Sequence, residues 1–481
     1  VSPAGLRAGA AFSLAAPLLA GVAGCGGGSA PAAPTAQAQA ARPNFVVIIA
    51  DDMAYGLFGA GRRVPFLQLP HLERLAAQGV QLDRAYVTTS LCSPSRASIL
   101  SGLYARAHRV TGNESMELSP DVPTFPQLMR QAGYRTAFVG KWHMDATNAG
   151  PRPGFDHWVS FHGQGVYHDP VLNVDGRAVN TRGYVTDLLT DHALAWLNGQ
   201  GAEPFLLVLS HKAVHQPFEP AARHAGALAG AWLPEPANYR DDFADKPAWQ
   251  RRYARCGGGT AAYASCPDPQ PMMLPRWPWS GDEPWRLDYL RSALALDDSV
   301  GSVTAALDRA GRDRDTYVLF LSDNGFFLGE HRLGDKRLAY EEALRVPMVM
   351  KGPGLAPRVV SSLALNIDVA PTLLELSGLA APASMQGRSL AGVLRGQAAA
   401  VRDAFVYEYA PDPRIPVIPA IVALRTASQK YVTYPDRPGE CELYDLAADP
   451  GEVTNLCDQP PWRARRAELQ ARLDQLQSEI R

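Results

Sequence analysis

Four short apolar runs along the chain are each cut off by polar chemistry. Asn44-Phe45-Val46-Val47-Ile48-Ile49-Ala50 stops at Asp51-Asp52, and Tyr317-Val318-Leu319-Phe320-Leu321-Ser322 stops at Asp323-Asn324-Gly325. Phe205-Leu206-Leu207-Val208-Leu209-Ser210 ends in His211, with His215 just beyond, and Thr136-Ala137-Phe138-Val139-Gly140 ends in Lys141-Trp142-His143. Runs that are apolar on both faces predict buried strands of a parallel sheet. Between them, segments 71–79, 124–133, 184–197 and 287–310 carry apolar residues at three- and four-residue spacing, which predicts helices. Gly79, Gly133 and Gly311 stand where helix C-terminal glycines belong. Strands and helices alternating in this way predict a doubly wound α/β core, a large, mostly parallel or mixed sheet flanked by helices. Ligands of open α/β sheets bind beyond the carboxyl ends of the strands, so the four endings are expected to converge on one site. Taken singly, an Asp pair is more often a cap or a solvated turn. A strand-end histidine such as His211 is more often structural; the concurrence of four endings is what points to chemistry.

The two ends of the chain read differently. Segment 462–480 places Leu469, Leu473, Leu476 and Ile480 on one helical face, which predicts a terminal helix docked on a small C-terminal α+β subdomain. The expected division is a catalytic α/β domain over 44–396 and the subdomain, with its antiparallel sheet, over 397–481. At the N-terminus, Arg7 precedes an apolar stretch over 8–23, shorter than the roughly 20 residues a membrane span needs. With small residues before Cys25 it reads as a signal segment over 1–24. Val22-Ala23-Gly24-Cys25 resembles the bacterial lipoprotein box, and 25–43 is an Ala-, Pro- and Gly-rich tether. The expectation is an exported protein that meets a membrane only through a lipid on Cys25; cleavage within the tether would instead leave it periplasmic or secreted.

Composition removes other classes. Lys+Arg 46 against Asp+Glu 48 gives a formal charge of −2, which argues against nucleic acid as a partner, because polyanion binding needs a basic face. With 46% hydrophobic and 20% charged residues the chain is not disordered.

Asp51, Asp52, Asp323 and Asn324 offer only hard oxygen ligands, which suit Ca²⁺, or Mg²⁺, rather than zinc. Three carboxylates brought together would repel one another strongly without a cation. The chain has 6 cysteines. Setting Cys25 aside leaves an odd number for an oxidising compartment. Cys256 with Cys266 and Cys441 with Cys457 are plausible local pairs, although four cysteines allow three connectivities. Cys92 is then without a partner. Pro94 suits the first turn of a helix, so Cys92 is expected at a helix N-terminus, where free N–H groups favour an anion. A bare thiolate nucleophile is one reading, but an exported lone thiol is open to oxidation.

Cys92-Ser93-Pro94-Ser95-Arg96, with Ser101-Gly102 downstream, resembles the signature of the type I, formylglycine-dependent sulfatases, which have an alkaline phosphatase-like fold. Asp51-Asp52, Gly140-Lys141-Trp142-His143, His215-Gln216-Pro217, Asp323-Asn324-Gly325 and Lys336 fall in the family's order. Glu442-Leu443-Tyr444-Asp445-Leu446 resembles its last hairpin. Leu328-Gly329-Glu330-His331 with Asp335-Lys336-Arg337, and Tyr167 to Asn173, are similar to the branch containing N-acetylglucosamine-6-sulfatases.

The resemblance implies that Cys92 is oxidised to Cα-formylglycine by a maturation enzyme, and that Asp51, Asp52, Asp323, Asn324 and the modified Cys92 hold the metal. It further implies that a hydroxyl of the aldehyde hydrate attacks sulfur, assisted by Asp323. His215 or Lys336 protonates the departing sugar alcohol, and His143 takes a proton from the second hydroxyl as sulfate leaves. Arg96 and Lys141 orient the hydrate and neutralise charge. Asp335 and Arg337 are candidate contacts to the sugar, and His331 either contacts it or hydrogen-bonds within its own loop. The implied activity is hydrolysis of a sulfate ester on a sulfated saccharide. The competing readings are a phosphonate monoester or phosphodiester hydrolase with the same nucleophile, and an inactive lipoprotein that only binds sulfated glycans. Trp277, Trp279 and Trp285, in the Pro- and aromatic-rich stretch 218–285, are read as packing for a long insertion before a sugar-stacking rim.

Overall fold

The computed structural model describes residues 42–113, 117–145, 147–255 and 281–480. The expected leader, Cys25 and the tether up to residue 41 lie outside the described residues, as do Cys256, Cys266, Trp277 and Trp279. The described residues form sixteen strands: β1 (Asn44–Ala50), β2 (Val80–Leu82), β3 (Ala85–Tyr86), β4 (Arg135–Gly140), β5 (His157–Ser160), β6 (Val171–Val174), β7 (Arg177–Asn180), β8 (Phe205–Ser210), β9 (Thr316–Ser322), β10 (Met348–Lys351), β11 (Arg358–Val360), β12 (Ala364–Leu365), β13 (Ala404–Tyr409), β14 (Ile421–Thr426), β15 (Gln429–Thr433) and β16 (Cys441–Asp445). Ten of them form one sheet in the order β11-β2-β10-β9-β1-β8-β4-β5-β6-β7.

The four runs read from the sequence are its centre, in the order β9-β1-β8-β4, and all pair in parallel. Every residue of β1, β8 and β9 is buried, so no alternation of polar positions is possible there. Each fully buried Val, Leu or Ile contributes about 1.5–3 kcal/mol. The flanks make the sheet mixed: β10 runs antiparallel to β9 and β2, and β6 and β7 form an antiparallel hairpin edge.

The expected helices form as Pro70–Gln78 (α1), Phe125–Gln131, Val185–Asn198 and Pro284–Arg309. Gly133 and Gly311 have φ of +92° and +67°. Gly79 ends α1 in extended backbone at φ −121°, and is needed for another reason: a Cβ there would lie 2.7 Å from Met350 O. No described helix is long and apolar enough to cross a membrane.

From residue 397 onward the chain builds the antiparallel sheet β13-β14-β15-β16. The helix Arg463–Glu479 lies on it through buried Leu469 and Leu473, with Leu476 and Ile480 half-buried beside them. Cys441 and Cys457 are disulfide-bonded. This layer shares its core with Tyr86, Leu91, Phe327 and Tyr340 of the large layer, and the described residues from 42 onward pack as one compact unit.

Candidate active site

Parallel strands in register deliver their ends to one level. Asp51 and Asp52 leave β1, Asp323 and Asn324 leave β9, Lys141 and His143 leave β4, and the segment carrying His215 leaves β8. Backbone hydrogen bonds tie these exits together: Asp323 N donates to Ala50 O at 3.0 Å, Asp51 N to Ala213 O at 3.0 Å and Lys141 N to Ser210 O at 2.7 Å. Gly140 permits the last contact, since a Cβ there would stand 1.8 Å from Ser210 O. Asp52 and His143 both take left-handed backbone, at φ 63° and 59°, a strain that such sites store.

Helix α2 (Cys92–Ser101) brings the fifth component. Leu91 caps it in extended backbone, and Gly102 ends it at φ 68° with its N–H on Ser98 O. All ten residues of α2 are buried. Its serines are spent on neighbours: Ser93 Oγ donates to His143 O at 2.6 Å, Ser95 Oγ accepts from Asn366 Nδ2 at 2.9 Å, and Ser98 Oγ meets His108 Nε2 at 3.0 Å. Cys92 therefore sits at the helix N-terminus, as its spacing from Pro94 predicts.

The expected ligand and catalytic residues meet there. Cys92 Sγ lies 3.5 Å from Asp51 Oδ1 and 3.0 Å from Lys336 Nζ. Lys336 Nζ also donates to Asp52, and Lys141 Nζ donates to Asp51. Arg96 grips Asp323 Oδ2 through Nε at 2.9 Å and Nη2 at 2.8 Å, and its Nη1 reaches Lys141 O at 2.8 Å. His215 Nδ1 faces Gln216 O at 2.6 Å, which leaves Nε2 toward Asp52, 3.7 Å from its Oδ2. Ligand atoms of Asp51, Asp52, Cys92 and His215 all lie within 4.8 Å of one another.

The electrostatics follow from burial with paired charges. Burial opposes ionisation of Asp51, yet Lys141, His215, Arg96 and Lys336 hold it well below the usual carboxylate range. Burial raises Asp52 despite Lys336, and raises Asp323 to about 7, helped by Asp51 and opposed by Arg96. His143 and His215 are both held well below 6.5, by burial first and by Lys141 next. Burial pushes the Cys92 thiol up to about 12 against the pull of Lys141 and Lys336. An unmodified Cys92 is thus a protonated thiol here and a poor nucleophile.

The donor set fits a hard divalent cation. Three buried carboxylates and an amide stand together, and Asn324 Oδ1 is buried with no hydrogen-bond partner while its Nδ2 donates to Asp52 Oδ1 at 2.7 Å. An orphaned buried carbonyl oxygen among carboxylates is a ligand in want of a cation.

Other expected residues lie elsewhere. His331 is fully buried, with Nδ1 2.7 Å from Asp241 Oδ2, Nε2 2.9 Å from Asn238 Nδ2, and its ring stacked on Tyr340 at 4.2 Å. Both nitrogens are engaged, which ties it to the segment around 238–246. Asp335 and Arg337 flank Lys336 and pair with each other, and Arg337 also meets Asp412 at 3.3 Å. His211 is structural, its Nε2 3.0 Å from Ser299 Oγ. Trp285 stacks on Phe218 at 5.9 Å, as packing requires.

Sequence reasoning missed Gln164, whose Oε1 accepts from Lys141 Nζ at 2.6 Å. It also missed the roles of Ser93 under His143 and of Tyr167, whose hydroxyl donates to His215 O at 2.6 Å. Gln164 stands between two glycines, a signal that was available.

Comparison with known proteins agrees with this geometry. A family model described as Sulfatase matches residues 43–379, and one described as N-sulphoglucosamine sulphohydrolase, C-terminal, matches residues 329–479. An N-acetylglucosamine-6-O-sulfatase of Bacteroides thetaiotaomicron is 31% identical over 92% of this chain and 87% of its own length. A human N-acetylglucosamine-6-sulfatase is 28% identical over 86% of this chain and 81% of its own. Among solved structures, one in complex with its substrate D-glucosamine-2-N,6-O-disulfate superposes with TM-score 0.80 at 29% identity, covering 91% of this chain and 98% of that one. The phosphonate monoester hydrolase of Agrobacterium radiobacter shares the fold, with TM-score 0.73 at 22% identity over 92% of this chain and 96% of its own.

Proposed function

We propose that this chain, which belongs to the sulfatase family and is a sulfuric ester hydrolase, removes sulfate from a sulfated amino sugar, with the 6-O-sulfate of N-acetylglucosamine as the first candidate. The observation that supports it most is the convergence of Asp51, Asp52, Asp323, Asn324, Lys141, Lys336 and His215 on Cys92 at the start of α2.

Asp51, Asp52, Asp323, Asn324 and the modified Cys92 would hold a divalent cation, Ca²⁺ first and Mg²⁺ second, which when bound polarises the sulfate oxygens. Cys92 oxidised to Cα-formylglycine supplies a hydrate with one hydroxyl to attack and another to drive sulfate out. Arg96 and Lys141 fix the carboxylates and offset charge around them. Asp323, raised toward neutral pH, is suited to accept a proton beside the nucleophile. His215 has its Nδ1 committed to Gln216 O, so Nε2 is the nitrogen that moves a proton, on the side where Lys336 Nζ also stands. These two groups serve the departing sugar oxygen. His143, buried and neutral over Ser93, is placed to accept the proton released with sulfate. Asp335 and Arg337, on either side of Lys336, are the nearest candidates for the sugar hydroxyls. We further propose export, with Cys25 as lipid site.

The test is sulfate release by the matured full chain from N-acetylglucosamine-6-sulfate, set against a phosphonate monoester and a phosphodiester. The expected result is turnover of the sulfated sugar with the highest kcat/KM, loss of turnover on chelation, and recovery with Ca²⁺ or Mg²⁺. Faster cleavage of the diester or phosphonate would assign the site to that chemistry instead.

A further inference from the structure

The segment 162–169 runs beside Lys141, and two glycines flank the side chain that meets it. Gly163 and Gly165 both take left-handed backbone, at φ 52° and 65°, on either side of Gln164. Gly165 N closes a turn onto His162 O at 3.0 Å, and a Cβ on Gly165 would stand 2.5 Å from the Phe161 ring. A residue other than glycine at 165 would meet both a strained conformation and a clash. Two residues on, Tyr167 is buried, stacks on Tyr184 at 5.6 Å and donates its hydroxyl to His215 O at 2.6 Å. One end of the segment is thereby locked to the stretch that carries His215.

Gln164 itself is half-buried, and its Oε1 accepts from Lys141 Nζ at 2.6 Å. That contact fixes the orientation of the amide. One lone pair of Oε1 is taken by the ammonium, and its NH2 has no partner among the described residues. With the oxygen held on Lys141, the NH2 is left to donate to whatever lies beside that ammonium.

We propose that Gln164 is a further substrate-contacting residue of the sulfate pocket: it steers Lys141 through Oε1 and donates from Nε2 to an oxygen of the sulfate ester. This rests on the sulfatase reading. A free NH2 beside an ammonium suits a sulfate ester, whose oxygens carry no proton at neutral pH and act only as acceptors.

The experiment uses the matured full chain carrying Gln164→Met, which keeps length without polar atoms, or Gln164→Glu, which keeps an oxygen on Lys141 but loses the donors. With unfolding midpoints checked first, Gln164→Met is expected to lower kcat/KM for the sulfated sugar by roughly tenfold to a hundredfold, as for a hydrogen bond to a charged group. Gln164→Glu is expected to fall further still, because it sets an anion against an anion. If Gln164 served only to anchor Lys141, Gln164→Glu would restore native kinetics, and that result overturns the proposal. Calorimetric titration with inorganic sulfate reads the same face without turnover. Weaker binding in both variants supports the proposal, and unchanged binding overturns it. A native chain that binds sulfate through Gln164 yet turns over no sulfated sugar would sink the functional reading alone.

Discussion

Arg96→Lys isolates geometry from charge in this site. The guanidinium is 3% exposed: Nε donates to Asp323, Nη2 ion-pairs with it, and Nη1 donates to Lys141 O and to Ser210 Oγ at 2.5 Å. A lysine keeps the positive charge but presents one ammonium where a rigid fork met three groups. It can retain Asp323 or the strand-end pair, not both. Each charge-assisted bond lost contributes about 1.5–3 kcal/mol. A buried carboxylate left half-paired adds its desolvation cost, so the expected loss of stability is about 3–5 kcal/mol. Because Asp323 is also a proposed metal ligand, its loosening is expected to lower kcat by about 10²–10³, the range for one preorganised charge stabiliser. The assay is urea unfolding followed by tryptophan fluorescence, with kcat measured on the same preparation. Because Arg96 is close to Cys92 and the proposal requires Cys92 to be converted, kcat is divided by the fraction of Cys92 converted, read by mass spectrometry of its peptide. A variant with native unfolding midpoint and native normalised kcat would refute the argument that the fork, rather than the charge, organises the strand ends.

Three further outcomes follow from other parts of the molecule. Cys92→Ala should abolish turnover while shifting the unfolding midpoint little, and active native protein should carry an aldehyde at position 92; active protein with only thiol there would remove the proposed nucleophile. Lys430 is fully buried, 2.7 Å from Glu452 and 3.0 Å from Glu341, so Lys430→Met should cost about 3–5 kcal/mol at pH 7 by stranding buried carboxylates. Lys430 and Arg425 hold Glu341 well below its ordinary 4.5 against the effect of burial; the stability it contributes is full above 4.5 and is lost progressively as pH falls from there through the lowered folded value, so the deficit of Lys430→Met should begin to shrink at pH 4. An equal deficit at both pH values, by urea unfolding, would deny the ion pair its role. Replacing both Cys441 and Cys457 by alanine opens a loop with sequence separation 16 and should cost about 3 kcal/mol; an unchanged denaturation midpoint would contradict this.

The site was legible in the sequence to the extent that chemistry coincided with strand ends. Runs such as 44–50 and 316–322 announce themselves because a strand buried on both faces has no polar positions, and the first polar residues after it must lie at the sheet's edge. Cys92 was legible from Pro94 and from its lack of a partner. His331 could be read two ways in the sequence, as a sugar contact or as a hydrogen-bonding loop residue, and only tertiary packing shows its nitrogens facing Asp241 and Asn238. Gln164 escaped because its neighbour Lys141 lies 23 positions away and an amide carries no charge to draw notice. The glycines on either side were the sign, since two left-handed residues around one side chain shape a loop for it. The antiparallel flanks were hidden for a different reason. Strands as short as Val80–Leu82 and Arg358–Val360 carry too few residues to show a period.

The complete burial of α2 bears on the order of events in the life of the chain. Once Arg96 has closed on Asp323 and the serines have found their partners, no second macromolecule can reach position 92. Any enzyme that alters Cys92 must meet this segment as loose chain, before the sheet draws the helix in. On the proposed conversion of Cys92, modification and folding are in a race, and the fraction of competent molecules is set by which finishes first. Slowing the collapse of the core should raise that fraction; lowering the supply of the modifying enzyme should leave well-folded molecules that nothing added later can activate.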